Sequence, residues 1–153
     1  MGFVFVIDAT DYGSYEVVKD IFDKKTTYFH LFSKGIKRRT RTLRIPLFMK
    51  FAKIYDKRSS KLRGCNMSFW KSDFIKINGF NESLVGWGID DSEMIQRLHN
   101  IGINGKRLKN VGIAYHIFHK TQDKSNLEIN FQIERETTEK KVTFIEKGIN
   151  QYL

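Results

Sequence analysis

The chain has 153 residues, a formal net charge of +10, and a composition that is 41% hydrophobic and 14% aromatic. This length predicts a single domain, residues 1–153, with a substantial core, and the composition excludes a disordered chain. Because Cys65 is the only cysteine, an internal disulfide is excluded and a reducing compartment is expected.

The first predicted elements are a buried strand at residues 2–7 and a helix at residues 14–24, which Ser14 can cap. Residues 2–7 are too few for a signal peptide, and no basic region precedes them. The sequence has no run of 18 apolar residues, which a membrane-spanning helix would need. We therefore expect a cytoplasmic protein.

Basic residues are concentrated in residues 34–63, which contain 12 of the 27 Lys and Arg residues and a single acid, Asp56. Such a stretch predicts an anionic partner such as a phospholipid surface, a phosphorylated substrate or a nucleic acid, although it is also typical of a solvated face. Within it, Pro46 is expected to start a short basic helix that lies peripherally on the inner membrane or packs on its own domain. Its apolar face would contain Leu47, Phe48, Phe51, Ile54 and Tyr55.

Alternating strands and helices continue beyond the basic stretch, so the pattern predicts an α/β fold. A strand is expected at residues 64–70, followed by a helix capped by Ser72 and closed by Gly79. A second helix is expected at residues 91–100, ended by Gly102. Its apolar residues at helical spacing are Met94, Ile95, Leu98 and Ile101.

The loop before this second helix contains Trp87 between Gly86 and Gly88, and two carboxylates, Asp90 and Asp91, follow it. The glycines give the backbone freedom, so the indole can lie against a ligand. Free N–H groups and the helix dipole favour ionised carboxylates at a helix start, where one of them is a plausible general base. The alternative is purely structural, because Asp90 and Glu93 fit the spacing of a capping box.

Another strand is predicted at residues 112–119, and it contains His116 and His119. Imidazole is a common ligand for transition metals, and this pair can converge if the strand ends between them. In a continuing strand the two side chains would point to opposite faces. Residues 121–153 form a charged, largely helical tail. Its expected buried residues are Val142, Phe144 and Ile145.

Four landmarks in residues 63–120 belong together. They are the small-residue strand at 64–68, the Ile-Asn-Gly-Phe run at 77–80, the Gly-Trp-Gly loop with its Asp pair, and the late strand that ends in histidine. With these landmarks the segment resembles the C-terminal catalytic half of the β-1,4-galactosyltransferases. It is also similar to the bacterial glycosyltransferases of the chondroitin-polymerase type.

The resemblance implies a GT-A fold and the inverting transfer of a sugar, of the galactose or N-acetylhexosamine type, from a UDP-sugar to an acceptor hydroxyl. It also implies Mn²⁺ or another divalent cation. In the matching positions, Asp91 is the catalytic base and Asp90 holds the place of an acidic residue that binds the acceptor.

Further site residues follow from the same resemblance. Trp87 and Gly88 match the mobile, substrate-binding loop that closes over the donor, and Asn66 lies in the matching small-residue strand as a further substrate-binding residue. His119 matches the histidine ligand of the metal, and His116 is the second candidate ligand.

This chain differs from the family pattern at three points. Ile89 stands where the family loop has glycine, which predicts a less mobile loop, and Asp90 stands where Glu is usual. No Asp-x-Asp motif, which normally supplies the other metal ligand, occurs in the sequence, and Asp8 with Asp11 is its nearest substitute. We therefore expect the C-terminal portion of a longer transferase.

The expected partners are a UDP-sugar donor and a glycan or lipid-linked glycan acceptor on a bacterial surface, such as lipopolysaccharide or capsule. A homo-oligomer is also expected, because an incomplete domain exposes apolar surface. Two alternatives stay open: a basic nucleic-acid-binding module and an inactive glycan-binding fragment. No nucleic acid is expected, because the sequence lacks RRM, KH and helix-turn-helix signatures.

Overall fold

The computed structural model describes residues 45–51, 54–55, 67–106 and 123–153. The chain divides into two units: residues 45–51 belong to the first, and the other described residues belong to the second. The strands expected at 2–7 and 112–119 and the helix expected at 14–24 lie outside the described residues.

In the first unit, a 3-10 helix covers Pro46–Phe51. Proline is well suited to a helix start because its φ is fixed near the helical value and its missing N–H has no partner there. The predicted start at Pro46 is therefore confirmed, and Leu47 and Lys50 are exposed. The predicted apolar face is wrong at its far end, because Ile54 and Tyr55 lie in a strand, which β-branched and aromatic residues favour.

The second unit is a mixture of helices and a small sheet. Strand β1 (Ile54–Tyr55) pairs antiparallel with β2 (Gly105–Lys106), with Ile54 opposite Lys106. The helices are α1 (Lys71–Lys76), α2 (Asp90–Asn100), α3 (Leu127–Glu139) and a 3-10 helix at Ile149–Tyr152. Among the described residues, no helix is long and apolar enough to cross a membrane.

The start of α1 differs from the prediction. Residues 67–70, the described part of the expected strand at 64–70, lie outside any strand. Trp70 is the N-cap residue with an extended backbone, so Ser72 lies inside the helix and is not its cap. The N–H groups of Asp73 and Phe74 both bond to the main-chain oxygen of Trp70 at 3.1 Å. Because these contacts are made by the backbone, the side-chain preference for Ser at an N-cap does not determine where the helix begins.

The end of α1 has the geometry of a Schellman motif. Asn78 takes the left-handed position with φ of 65°, and its N–H bonds to the Ile75 oxygen at 2.9 Å. Gly79 follows with φ of 73°, and its N–H bonds to the Phe74 oxygen at 2.8 Å. The motif satisfies carbonyl groups that would otherwise lack partners at the helix end. The predicted role of Gly79 is confirmed, with Asn78 sharing it.

Among the residues that the structure describes, helix α2 supplies two of the three buried side chains of the core cluster. Met94 and Leu98 are buried on one face together with Ile77, and Gly102 ends the helix with φ of 84°. The predicted helical spacing is therefore confirmed, since residues four apart on a helix share a face. Partly buried side chains pack around this cluster, namely Met67, Phe74, Ile95, Ile101 and Ile103.

A charged pair lies on the same side of α2. Glu93 and Arg97 are both 0% exposed, and the guanidinium contacts the carboxylate at 2.9 Å. Arg97 also donates to the main-chain oxygens of Ile77 and Gly79, while Thr137 of α3 donates to Glu93 at 3.1 Å. Because each charge has hydrogen-bonding partners, the pair can be buried without leaving an unsatisfied group.

The tail is helical only in part. Ile145 is buried, as predicted, whereas Val142 is only half-buried. Phe144 is 54% exposed, so its predicted burial is wrong. The prediction assumed a continuing helix, whereas α3 ends at Glu139 and the chain beyond it is irregular until residue 149. Without helical spacing, neighbouring apolar residues need not share a face.

Candidate active site

The two adjacent carboxylates lie in the first turn of α2. Asp90 is exposed and Asp91 is half-buried. The capping box is wrong, because Ile89 and not Asp90 is the N-cap residue, and Glu93 points to Arg97. Both carboxylates therefore lie in the first turn of the helix, beside main-chain N–H groups that have no partner within the helix.

Ile89 adopts a glycine-like conformation. Its φ is 82° and its ψ is −25°, in the left-handed region that β-branched residues rarely enter. The resemblance places a glycine of the family loop at this position, so the backbone shape of a glycine is found here with an isoleucine side chain. Such a conformation costs about 1–2 kcal/mol for an L-residue, so the surrounding contacts must hold it.

The loop that contains Trp87 makes two further turns of this kind. Gly86 has φ of 86° and Gly88 has φ of 93°, so both positions have a positive φ that suits glycine. A β carbon on Gly88 would also meet Leu127 at 3.3 Å. The two glycines thus bend the chain so that it can lie against the start of α3, and they leave the indole of Trp87 40% exposed.

Residues in the turn before α3 and in its first turn hold the loop in place. Asn130 donates from Nδ2 to the main-chain oxygens of Val85 at 3.1 Å and of Gly88 at 3.4 Å. The Nζ atom of Lys124 lies 4.7 Å from the centroid of the Trp87 ring, within the range of a cation–π contact. One face of the indole is thus covered by a cation.

A second set of contacts links α2 to α3 beside the acidic pair. Ser92 donates to the main-chain oxygen of Ile89 at 3.1 Å and makes a short hydrogen bond with the buried Glu134 of α3.

In the turn before α3, Asp123 accepts hydrogen bonds from the hydroxyl and the N–H of Ser125, at 2.6 and 3.0 Å. These bonds lower the pKa of the Asp123 carboxyl, because they stabilise its charged form.

The structure brings together only part of the predicted site. Trp87, Gly88, Asp90 and Asp91 lie in the loop and the helix start, whereas Asn66, His116 and His119 lie outside the described residues. Within the described ranges, no group of three or more His, Cys, Asp and Glu residues could hold a metal ion. The predicted metal ligands His116 and His119 therefore stay a prediction.

Sequence reasoning missed the residues that support the loop. Asn130 and Lys124 are separated from the loop by more than 35 residues, and nothing in their local sequence points to it.

A shallow hollow on the exposed face of α3 contains none of the predicted site residues, so we assign it no part in the site. It is lined by Glu128, Gln132, Arg135, Glu136 and Glu139.

Comparison with known proteins bears on the same segment. Residues 46–120 match the family model described as the N-terminal domain of galactosyltransferase. Chondroitin sulfate synthase 3 of Homo sapiens and that of Mus musculus are each 34% identical to this chain over 59 residues. Those residues are 39% of this chain and 7% of either relative. No solved structure matches the chain.

Residues 46–120 therefore match a galactosyltransferase-like glycosyltransferase family, and the resemblance predicted from residues 63–120 is confirmed. This match supports a function of the glycosyltransferase type. The matched segment spans only a small part of the mammalian relatives' length.

Proposed function

We propose that this chain takes part in the inverting transfer of a sugar from a UDP-sugar to the hydroxyl of a glycan, with Asp91 as the general base. The observation that carries the proposal is the position of Asp90 and Asp91 in the first turn of α2, directly after the Trp87 loop. Both features lie within the segment that matches the galactosyltransferase family model.

The residue types suit this chemistry. In an inverting transfer the acceptor oxygen attacks the anomeric carbon, the bond from that carbon to the diphosphate oxygen breaks, and the hydroxyl proton passes to a base. We assign the role of this base to Asp91 and the binding of the acceptor sugar to Asp90. A carboxylate is a weak base toward a hydroxyl group, so close placement of the acceptor hydroxyl against Asp91 has to compensate.

We assign the binding of the sugar rings to the Trp87 loop. An indole presents a flat apolar face that can lie against a sugar ring, and Trp87 keeps part of its surface exposed. We propose the GT-A fold for the complete domain, since a chain of mixed helices and strands is compatible with it. We also propose that this chain forms part of a longer transferase. A divalent cation bound by His116 and His119 belongs to the same proposal.

The acceptor is proposed at the level of its class. The names of the relatives, chondroitin sulfate synthases, support an acceptor of the polysaccharide type. The donor is proposed to be of the galactose or N-acetylhexosamine type, which the resemblance implies. The bacterial surface glycan stays a prediction, because the relatives named above are mammalian. Cytoplasmic location with peripheral membrane contact through residues 34–63 is likewise proposed, supported by the exposed Leu47 and Lys50.

The test compares two carboxylates that each lie in the first turn of a helix. Asp91→Asn is expected to reduce transfer from UDP-galactose or UDP-N-acetylgalactosamine to chondroitin oligosaccharides by about 10²- to 10⁴-fold. UDP binding, measured by calorimetry, should change little. Asp73→Asn, which changes a half-buried carboxylate in the first turn of α1, should leave transfer near the wild-type rate.

Two results would contradict the assignment. If Asp91→Asn and Asp73→Asn reduced transfer equally, Asp91 would have no special part in the reaction. If Asp91→Asn abolished UDP binding as well as transfer, the residue would belong to the donor site or to folding.

A further inference from the structure

Asn130 is a buried polar residue in the first turn of α3, and its side chain contacts the Trp87 loop. It is 1% exposed, and its Nδ2 atom donates to the main-chain oxygens of Val85 and Gly88. These two oxygens lie on either side of Gly86 and Trp87 in the chain. One amide group therefore joins both ends of the short segment that presents the indole.

An asparagine at position 130 lowers the stability of the folded protein unless its side chain finds hydrogen-bonding partners. Asparagine is a poor helix former, because its side chain competes with the backbone for hydrogen bonds. A buried amide also loses its hydration, which is repaid only when it finds partners. Here the partners come from a segment more than 40 positions earlier in the chain, so Asn130 serves the shape of the loop more than the helix that contains it.

Two neighbouring contacts act in the same direction and do not involve Asn130. The ammonium group of Lys124 lies over the Trp87 ring at 4.7 Å, and Leu127 lies within 3.3 Å of a β carbon placed on Gly88. The loop thus packs against the turn before α3, where the Lys124 cation covers one indole face, and against the first turn of α3, where Leu127 supports the turn at Gly88. The Trp87 indole is thus held on the side that faces these residues, and part of its surface remains exposed to solvent.

We propose that Asn130 is a positioning residue for sugar transfer, which holds the Trp87 indole in the place that the reaction requires. This inference rests on the proposed function. A sugar bound against an aromatic ring is correctly placed for attack only when the ring is fixed to within a fraction of an ångström. Asn130 acts through Trp87 and does not itself contact the reacting atoms.

The first measurement does not depend on catalysis. The chain has two Trp residues, so Trp70→Phe leaves Trp87 as the single emitter, and Trp70 is well exposed at the start of α1. In this background, Asn130→Ala is expected to raise the acrylamide quenching of Trp87 at least twofold. Thr137→Val is the matched control: Thr137 is buried on the same helix and bonds to Glu93, away from the loop.

The second measurement is the reaction itself. Asn130→Ala is expected to reduce kcat at least tenfold while KM for the UDP-sugar changes less than threefold, and Thr137→Val should change neither. If Asn130→Ala fails to fold by circular dichroism, Asn130→Asp replaces it. That variant keeps the shape of the side chain and loses the donor, so the same changes are expected.

The outcomes separate the two proposals. Equal quenching and equal kcat in the Asn130 and Thr137 variants would overturn the inference. A mobile Trp87 with unchanged kcat would also overturn it, because the loop would then be held for no catalytic purpose. If the wild-type chain transfers no sugar from either donor, the proposed function fails, while the quenching measurement still decides whether Asn130 holds the loop.

Discussion

The main-chain oxygen of Asn78 lies 1.9 Å from the point at which a β carbon on Gly148 would stand. Asn78 also donates to the Ile145 oxygen at 2.7 Å and accepts from the N–H of Asn150 at 2.8 Å. The end of α1 is thereby joined to the last turn of the chain, and only a residue without a side chain permits this approach. Gly148 is buried in consequence.

Gly148→Ala is therefore expected to destabilise the protein by about 2–3 kcal/mol, because the methyl group meets main-chain atoms that cannot rotate away. Gly102→Ala is the matched control. Nothing lies within 4 Å of a β carbon there, and only the positive φ of 84° opposes the change, so a loss of about 1 kcal/mol is expected. Urea unfolding measures both, and equal losses would show that the Asn78 contact does not constrain residue 148.

Sequence patterns predicted those features whose causes are local. The spacing of Met94 and Leu98 identified the buried face of α2, and Gly86 and Gly88 indicated a backbone that glycine alone adopts easily. Each of these signals is contained within a few neighbouring residues. The structure confirms the buried face for that reason, and it shows positive φ values at both glycines.

Features that depend on distant partners were not predictable. Glu93 and Arg97 have the spacing of an ordinary exposed ion pair, and their burial depends on carbonyl groups about 20 positions away. Asn130 supports the Trp87 loop across more than 40 positions. The site was therefore predicted at its acidic pair and its tryptophan, but not at the residues that hold them.

The strained position between the loop and α2 gives a second prediction. Ile89→Gly should change the free energy of unfolding by less than about 1 kcal/mol. Relief of the left-handed strain, about 1–2 kcal/mol, offsets the lost burial and the greater freedom of glycine in the unfolded chain. Ile103→Gly is the control, because Ile103 is also half-buried but does not have a positive φ.

The control should lose about 2 kcal/mol or more in the same urea titration, since Ile103→Gly removes a side chain that packs on the core cluster and relieves no strain. If Ile89→Gly were as destabilising as Ile103→Gly, the left-handed conformation would store no strain.

The buried ion pair gives a third prediction. Glu93→Gln leaves the Arg97 guanidinium buried without its opposite charge, so a loss of about 3–5 kcal/mol is expected. Glu136→Gln breaks a pair of the same spacing, Glu136 with Lys140 at 2.7 Å, but the Lys140 side chain is 66% exposed and that of Glu136 is 45% exposed. The urea midpoint should hardly move in that variant. Similar midpoints for the two variants would mean that burial of the first pair is unimportant.

The last prediction concerns pH and the turn before α3. Because hydrogen bonds from Ser125 lower the pKa of Asp123 in the folded protein, this carboxylate stabilises the fold at pH values above its ordinary pKa. The contribution is lost as pH falls through the lowered pKa, when the carboxyl becomes protonated. The urea midpoints of wild type and Asp123→Asn should therefore differ at neutral pH and converge in acid. Ser125→Ala should raise the pKa of Asp123 in an NMR titration of its carboxyl carbon, and an unchanged titration would show that Ser125 is not the cause.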